Sequence, residues 1–186
     1  MLLITLNDWK KHLLDFANHA NGKMTIEKMP VYGDNYELYS STINISYENN
    51  YVNILQTATK VDYVNCGVSS LTLQFLYKNK STLQVTLNER DFFDKLFSGR
   101  RIKTGNQDFD RKFTINASNK EIAKDLFSDV RVQYLFFNNR LIVFNTSTNK
   151  GETTIKLKYM ESRLYSIEEM TQAYDEFKNI LDKILK

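Results

Sequence analysis

One cysteine, one proline, six glycines and two histidines are spread over 186 residues. A lone Cys66 excludes an internal disulfide framework and suits a reducing compartment. With no base beside it in sequence, it reads as a small buried residue and not a nucleophile. His12 and His19 are seven apart, about 10.5 Å along a helix at 1.5 Å per residue. Metal-binding pairs use shorter spacings such as HExxH, so no metal site is expected. Neither GxGxxG, GxxxxGK[ST] nor GxSxG occurs, which removes dinucleotide, P-loop and nucleophile-elbow readings; no cofactor is expected. No apolar run approaches the ~18 residues of a spanning helix. The start, MLLITLNDWKKHLLDF, has no basic region before its apolar stretch and no small-residue cleavage site after it. The expectation is a cytoplasmic protein with no membrane partner.

What is present is an ordinary globular composition: 42% hydrophobic, 25% charged and 13% aromatic residues. At this length one α+β domain over residues 1–186 is expected, burying roughly 70% of its unfolded surface without a staple. The net charge of +3 is too small to demand a polyanion. Its placement says more. Arg100, Arg101, Lys103, Arg111 and Lys112 stand against Asp108 and Asp110; five minus two is the whole excess of the chain.

Periodicity organises the rest. Residues 7–21 have helical spacing (Trp9, Leu13, Phe16, Ala17, Ala20), with Asn7 as N-cap and Gly22 as stop. Residues 23–35, which hold Pro30 and a Gly-Asp-Asn signal, read as a connection. Tyr36–Tyr47 and Tyr51–Thr59 read as strands around Glu48-Asn49-Asn50, with a bulge near Ser40–Thr42 to reconcile two phases. LTLQFLY (71–77) and STLQVTL (81–87) alternate strictly, and the intervening Lys78-Asn79-Lys80 predicts a hairpin. Residues 88–99 predict a short helix capped by Asn88; RKFTINA predicts a strand; Ser118 and Glu121 form a capping-box pattern. Asp129–Phe137 predicts a helical turn or two, followed by a strand pair, RLIVFN and TTIKLKY, around Asn149-Lys150-Gly151. The chain closes on a helix capped by Ser166 and Glu169, with a stripe from Ile167 to Leu185. The expected fold is an antiparallel sheet of about six to seven strands with helices on one face, including N- and C-terminal amphipathic helices.

GRRIKTGNQDFDRKF (99–113) looks most like a site. A calcium loop begun at Asn106 would have Arg111 where glycine is needed and Ala117 where glutamate is needed, so that reading fails. Anion or nucleic-acid binding through Arg100, Arg101, Lys103, Arg111 and Lys112 is the alternative, opposed by Asp108 and Asp110 in the same segment. The bland reading is a surface loop pinned by Phe109 and Phe113.

The run T-G-x-x-x-F-D-x-x-F (Thr104, Gly105, Phe109, Asp110, Phe113), followed by a β-segment and a Glu/Lys-rich helix, resembles a group of uncharacterised bacterial proteins over about residues 99–135. The resemblance implies no activity. In topology alone the chain is also similar to small dimeric secretion chaperones, from which segment 100–138 departs.

Acid–base catalysis needs converging carboxylates, yet Glu89 with Asp91 and Glu168 with Glu169 fall in first helical turns, where the macrodipole explains them. No catalytic residue is assigned. Phe75, Tyr77 and Tyr159 share the apolar phase, whereas an RNA-binding sheet displays its rings on the open face. The reading is a non-catalytic domain that binds a protein partner or itself. Its expected contact surfaces are the polar phase Thr72, Gln74, Thr82, Gln84 and Thr86 and the loop 99–112, with nucleic acid as a disfavoured alternative.

Overall fold

The computed structural model describes residues 4–30, 37–60, 65–78, 84–90, 102–138 and 142–185. Within these the chain runs β1 (Ile4–Thr5), α1 (Leu6–His19), β2 (Lys23–Met29), β3 (Glu37–Tyr47), β4 (Asn50–Lys60), β5 (Asn65–Val68), β6 (Leu71–Lys78) and β7 (Val85–Glu89). It continues with α2 (Gln107–Lys112), β8 (Phe113–Ala117), α3 (Lys120–Ser128), α4 (Val130–Asn138), β9 (Ile142–Asn149), β10 (Glu152–Tyr159) and α5 (Ile167–Ile184). The fold is α+β with antiparallel pairing, but the described strands number ten, not six to seven. Among the described residues no helix is long and apolar enough to cross a membrane.

The chain divides into two compact units, Met1–Phe75 with Lys158–Tyr174 and Leu76–Leu157 with Asp175–Lys186. In the first, β3 and β4 pair without interruption from Glu37↔Lys60 to Tyr47↔Asn50, and Glu48 turns the chain at φ 50°. The bulge expected near Ser40–Thr42 does not form. Ser41 keeps the buried phase of Ile43, Ile45 and Tyr47 instead, so the phase conflict is resolved by burying a hydroxyl. β2 pairs with the free edge of β3, from Lys23↔Asn44 to Met29↔Leu38, so residues 23–29 are strand and not connection. Its alternation is hard to read because even its inward positions are only half-buried. β4 pairs on its other edge with β6 through Val52↔Phe75 and with β5 through Ala58↔Val68; β1 adds to β5.

α1 lies on the apolar face of this sheet through Trp9, Leu13, Phe16 and Ala17. Its N-cap is Thr5, not Asn7: Thr5 Oγ1 accepts from the Asp8 N–H at 3.0 Å. Trp9 Nε1 donates to buried Gln56 Oε1 at 3.1 Å, and Gln56 Nε2 donates to the carbonyls of Ser69 (3.2 Å) and Arg163 (3.1 Å). The amide therefore has both donors and its acceptor used, as a buried polar group requires. His12 Nε2 donates to the Tyr165 carbonyl at 2.5 Å, and the Arg163 guanidinium forks onto Glu169 (2.9 and 3.0 Å) while lying 4.2 Å from the Tyr165 ring centroid. These contacts seat residues 160–166 on the first unit.

In the second unit β7 pairs with β8 (Val85↔Ala117 to Glu89↔Phe113) on one edge and with β9 (Thr86↔Asn145, Leu87↔Phe144) on the other. Both edges of β7 are thus taken, so among the described residues the hairpin expected between 71–77 and 81–87 does not form; β6 pairs with β4. Asn88 is a strand residue opposite Thr114 and not a helix cap. The rest of the helix expected over 88–99, from residue 91 on, lies outside the described residues, as does the Gly-Asp-Asn signal. β9 and β10 form a hairpin through Lys150 (φ 51°) and Gly151 (φ 80°), two positive-φ positions in a two-residue turn. α3 is capped by Asn119, one residue past Ser118, with Asn119 Oδ1 accepting from Glu121 N (3.0 Å) and Ile122 N (3.1 Å). Ser118 faces β7 instead, its Oγ accepting from Gln84 N. The reciprocal box at the last helix does form: Ser166 N donates to Glu169 Oε2 (2.8 Å) and Glu169 N to Ser166 Oγ (3.2 Å).

Candidate functional site

The segment richest in charge turns out to be held mainly by neutral and acidic groups. Thr104 is buried, and both its N–H and its hydroxyl donate to Asp110 Oδ1 at 2.9 Å. Gly105 follows at φ 93°, a left-handed position that glycine occupies without strain. Asn106 then caps α2, its Oδ1 accepting from Asp108 N (3.0 Å) and Phe109 N (3.3 Å), while its Nδ2 donates to Gln133 Oε1 (2.6 Å). Ser128 Oγ donates to the Thr104 carbonyl. One turn of α2 places Phe109 in contact with Phe113 (centroids 4.7 Å), Phe137 (5.6 Å) and Phe127 (6.3 Å). The rings continue through Phe136 and Phe144. The T-G-x-x-x-F-D-x-x-F run is therefore a folding device in which the threonine–aspartate clasp sets the approach, the glycine turns it and the phenylalanines anchor it. What reads as a loop from its charges contains a helix.

The oxygens of Asn106 and Asp110 point into this clasp and cap, so they do not converge on a common centre. Of the basic set, Arg100 and Arg101 lie outside the described residues. Lys103 and Arg111 are exposed, with Arg111 3.9 Å from Asp108. Lys112 is half-buried, 3.6 Å from Glu89 and 5.0 and 5.5 Å from the Phe113 and Phe137 centroids. Arg90 Nη1 donates to the Asp110 and Arg111 carbonyls at the end of α2.

The expected interaction face distributes differently. Thr72 and Gln74 sit on β6 in the first unit, half-exposed, opposite Leu55 and Asn53 of β4. Gln84 and Thr86 belong to the second unit, where Gln84 is exposed and Thr86 is flanked by Asn116 and Asn145. Thr82 lies outside the described residues. In the first unit the register extends the polar phase into rows that the sequence reading did not name. Thr25, Thr42, Leu55 and Thr72 form one; Lys23, Asn44, Asn53 and Gln74 form the next; Glu27, Ser40 and Thr57 form a third. Tyr51, 58% exposed, stands at the end of the same phase. The signal missed was mainly in β3, where Ser40, Thr42, Asn44 and Ser46 at every second position mark the open face; β2 adds Lys23, Thr25 and Glu27 to it.

Cys66 is fully buried, and burial, helped by the negative charge of Asp8, pushes its thiol up, away from nucleophilic use. His12 is engaged by the Tyr165 carbonyl and is half-buried, while His19 is exposed. Asp129, at the foot of α4, is the most perturbed acid among the described residues of the second unit. Burial opposes its ionisation, but hydrogen bonds from the Arg131 side chain and N–H and from Lys183 Nζ (3.1 Å) outweigh it and hold its carboxyl at about 2. A shallow groove lies beside it, floored by Val132, Leu135 and Ile180. This acid is a structural clamp between α4 and the end of α5. No family model matches the chain, and neither a curated protein nor a solved structure matches it.

Proposed function

We propose that the protein is a non-catalytic binding domain that engages another protein through the open face of its first-unit sheet. The observation that supports this is the row pattern: short polar side chains (Thr42, Asn44, Asn53, Thr57, Thr72, Gln74) surround one aliphatic residue, Leu55, on a face opposite the buried one. A central apolar contact ringed by hydrogen-bonding groups is the anatomy of a protein interface. A nucleic-acid platform needs several stacking rings; on this face Tyr51 is the ring at the margin, and Lys23 is the cation of the three rows. The basic-segment alternative is supported only by Lys103 and Arg111 among the described residues, since Lys112 is engaged by Glu89 and two rings.

The test is a photo-crosslinking residue placed at Asn53 in cells, with and without Leu55→Glu. A discrete crosslinked polypeptide that disappears with Leu55→Glu, at unchanged melting temperature, supports the reading. Crosslinks that persist unaltered in that variant would sink it.

A further inference from the structure

Among the described residues β2 pairs with β3 alone, so the other side of this seven-residue strand presents backbone donors and acceptors at a sheet edge. Exposed edges of this length are templates for adding another strand, and proteins usually blunt them with charge. β2 carries three charges, Lys23, Glu27 and Lys28. Lys28 is drawn back over its own sheet, 2.5 Å from Glu37. Lys23 and Glu27 are exposed, opposite in sign, four residues apart and on one side of the strand, with no ion-pair partner among the described residues. Met24 and Ile26, on the other side, are half-buried opposite Ile43 and Ser41, at the margin of the core.

We infer that β2 pairs antiparallel with β2 of a second copy about a two-fold axis through Thr25, joining the first-unit sheets of two chains. In that register Lys23 stands opposite Glu27 of the second copy, twice over by symmetry. Met24 stands opposite Ile26 of the second copy on the core side, and the two Thr25 residues meet at the axis. Opposite-charge, aliphatic and Thr–Thr cross-strand pairs are all favourable. The neighbouring registers are worse. Centring on Ile26 sets Met24 against Lys28 and Thr25 against Glu27, with no opposite-charge pair, and centring on Glu27 sets two glutamates face to face. A two-fold axis perpendicular to the sheet also keeps the apolar phases of both copies on the same side, as antiparallel pairing requires. The charges that guard this edge against unlike strands therefore select a copy of itself. This surface is the edge of the sheet and does not depend on the open-face reading.

The experiment uses the full chain in sedimentation runs over a hundredfold concentration range. The expected result is a reversible monomer–dimer equilibrium that Lys23→Glu weakens about tenfold or more, since two attractive pairs become repulsive. Adding Glu27→Lys to that variant restores the pairing and the dimer. Thr25→Cys should form an interchain disulfide under mild oxidation, with buried Cys66 silent. A monomer at every concentration overturns the inference. So does a dimer indifferent to Lys23→Glu, or one that does not crosslink at position 25. A dimer unaffected by Leu55→Glu separates this edge from the partner-binding face.

Discussion

Asp110 shows how one residue is misjudged when its neighbours are charged. From the sequence it counts as a negative charge that opposes anion binding, yet its Oδ1 accepts two bonds from buried Thr104. Removing an acceptor that leaves buried donors unsatisfied costs about 1–3 kcal/mol, whereas an exposed cation contributes within about 0.5 kcal/mol. Asp110→Ala is therefore expected to lower the urea midpoint clearly, while Lys103→Gln and Arg111→Gln leave it nearly unchanged. Equal effects from all three would place the loop's stability in its charges after all. Asp129 makes a second prediction at this scale. Its carboxyl is held at about 2 in the folded protein, below the ordinary ~3.9 of an unfolded aspartate. A lowered acid stabilises the fold above its unfolded value and loses that contribution as pH falls toward the folded one, so stability should drop between about pH 4 and pH 2. Carboxyl NMR titration should find the Asp129 midpoint near that value, and Lys183→Met should raise it. An unmoved midpoint would remove Lys183 from the clamp.

At the scale of the element, the sequence was legible where one period dominates and opaque where two signals compete. α1, α4, α5, the β3–β4 pair and the β9–β10 pair follow from spacing and turn residues, because their buried faces are continuous. β2 was hidden because an edge strand buries neither face fully and carries charges at the positions that would alternate. β6 and β7 were joined wrongly because alternation identifies a strand but says nothing about its neighbour. Of the candidate site, the polar phase of β6 was readable, while its continuation across β4, β3 and β2 needed the register. The end of α1 gives the test at this scale. Asn21, not Gly22, takes the left-handed turn (φ 51°), and Gly22 is needed because a Cβ there would stand 3.0 Å from Ile43 Cγ2 and 3.2 Å from the Asn44 carbonyl. Gly22→Ala should cost about 1–3 kcal/mol, as overpacking does. Asn21→Gly should be neutral or nearly so, because glycine accepts the same φ without strain. Chemical denaturation of both distinguishes packing from turn geometry; the reverse order of effects would contradict the close approach.

For the whole molecule, the placement of its rare residues makes an unusually clean experiment possible. Trp9 and Cys66, each present once, both belong to the first unit and are fully buried there, whereas the second unit is built around a phenylalanine cluster. Tryptophan fluorescence and thiol labelling therefore report the first unit alone, and backbone circular dichroism reports both. The chain passes between the units inside β6, β10 and α5, at residues 75/76, 157/158 and 174/175, and not through linkers. Within α5 the i→i−4 hydrogen bonds run across 174/175, so loss of one half of that helix frays the other. The expected outcome is coincident denaturation curves from fluorescence and circular dichroism, with Cys66 unreactive toward a thiol reagent until that shared transition. Separate midpoints, with Trp9 and Cys66 released together while part of the dichroism persists, would mean that the second unit stands on its phenylalanine core independently of the first.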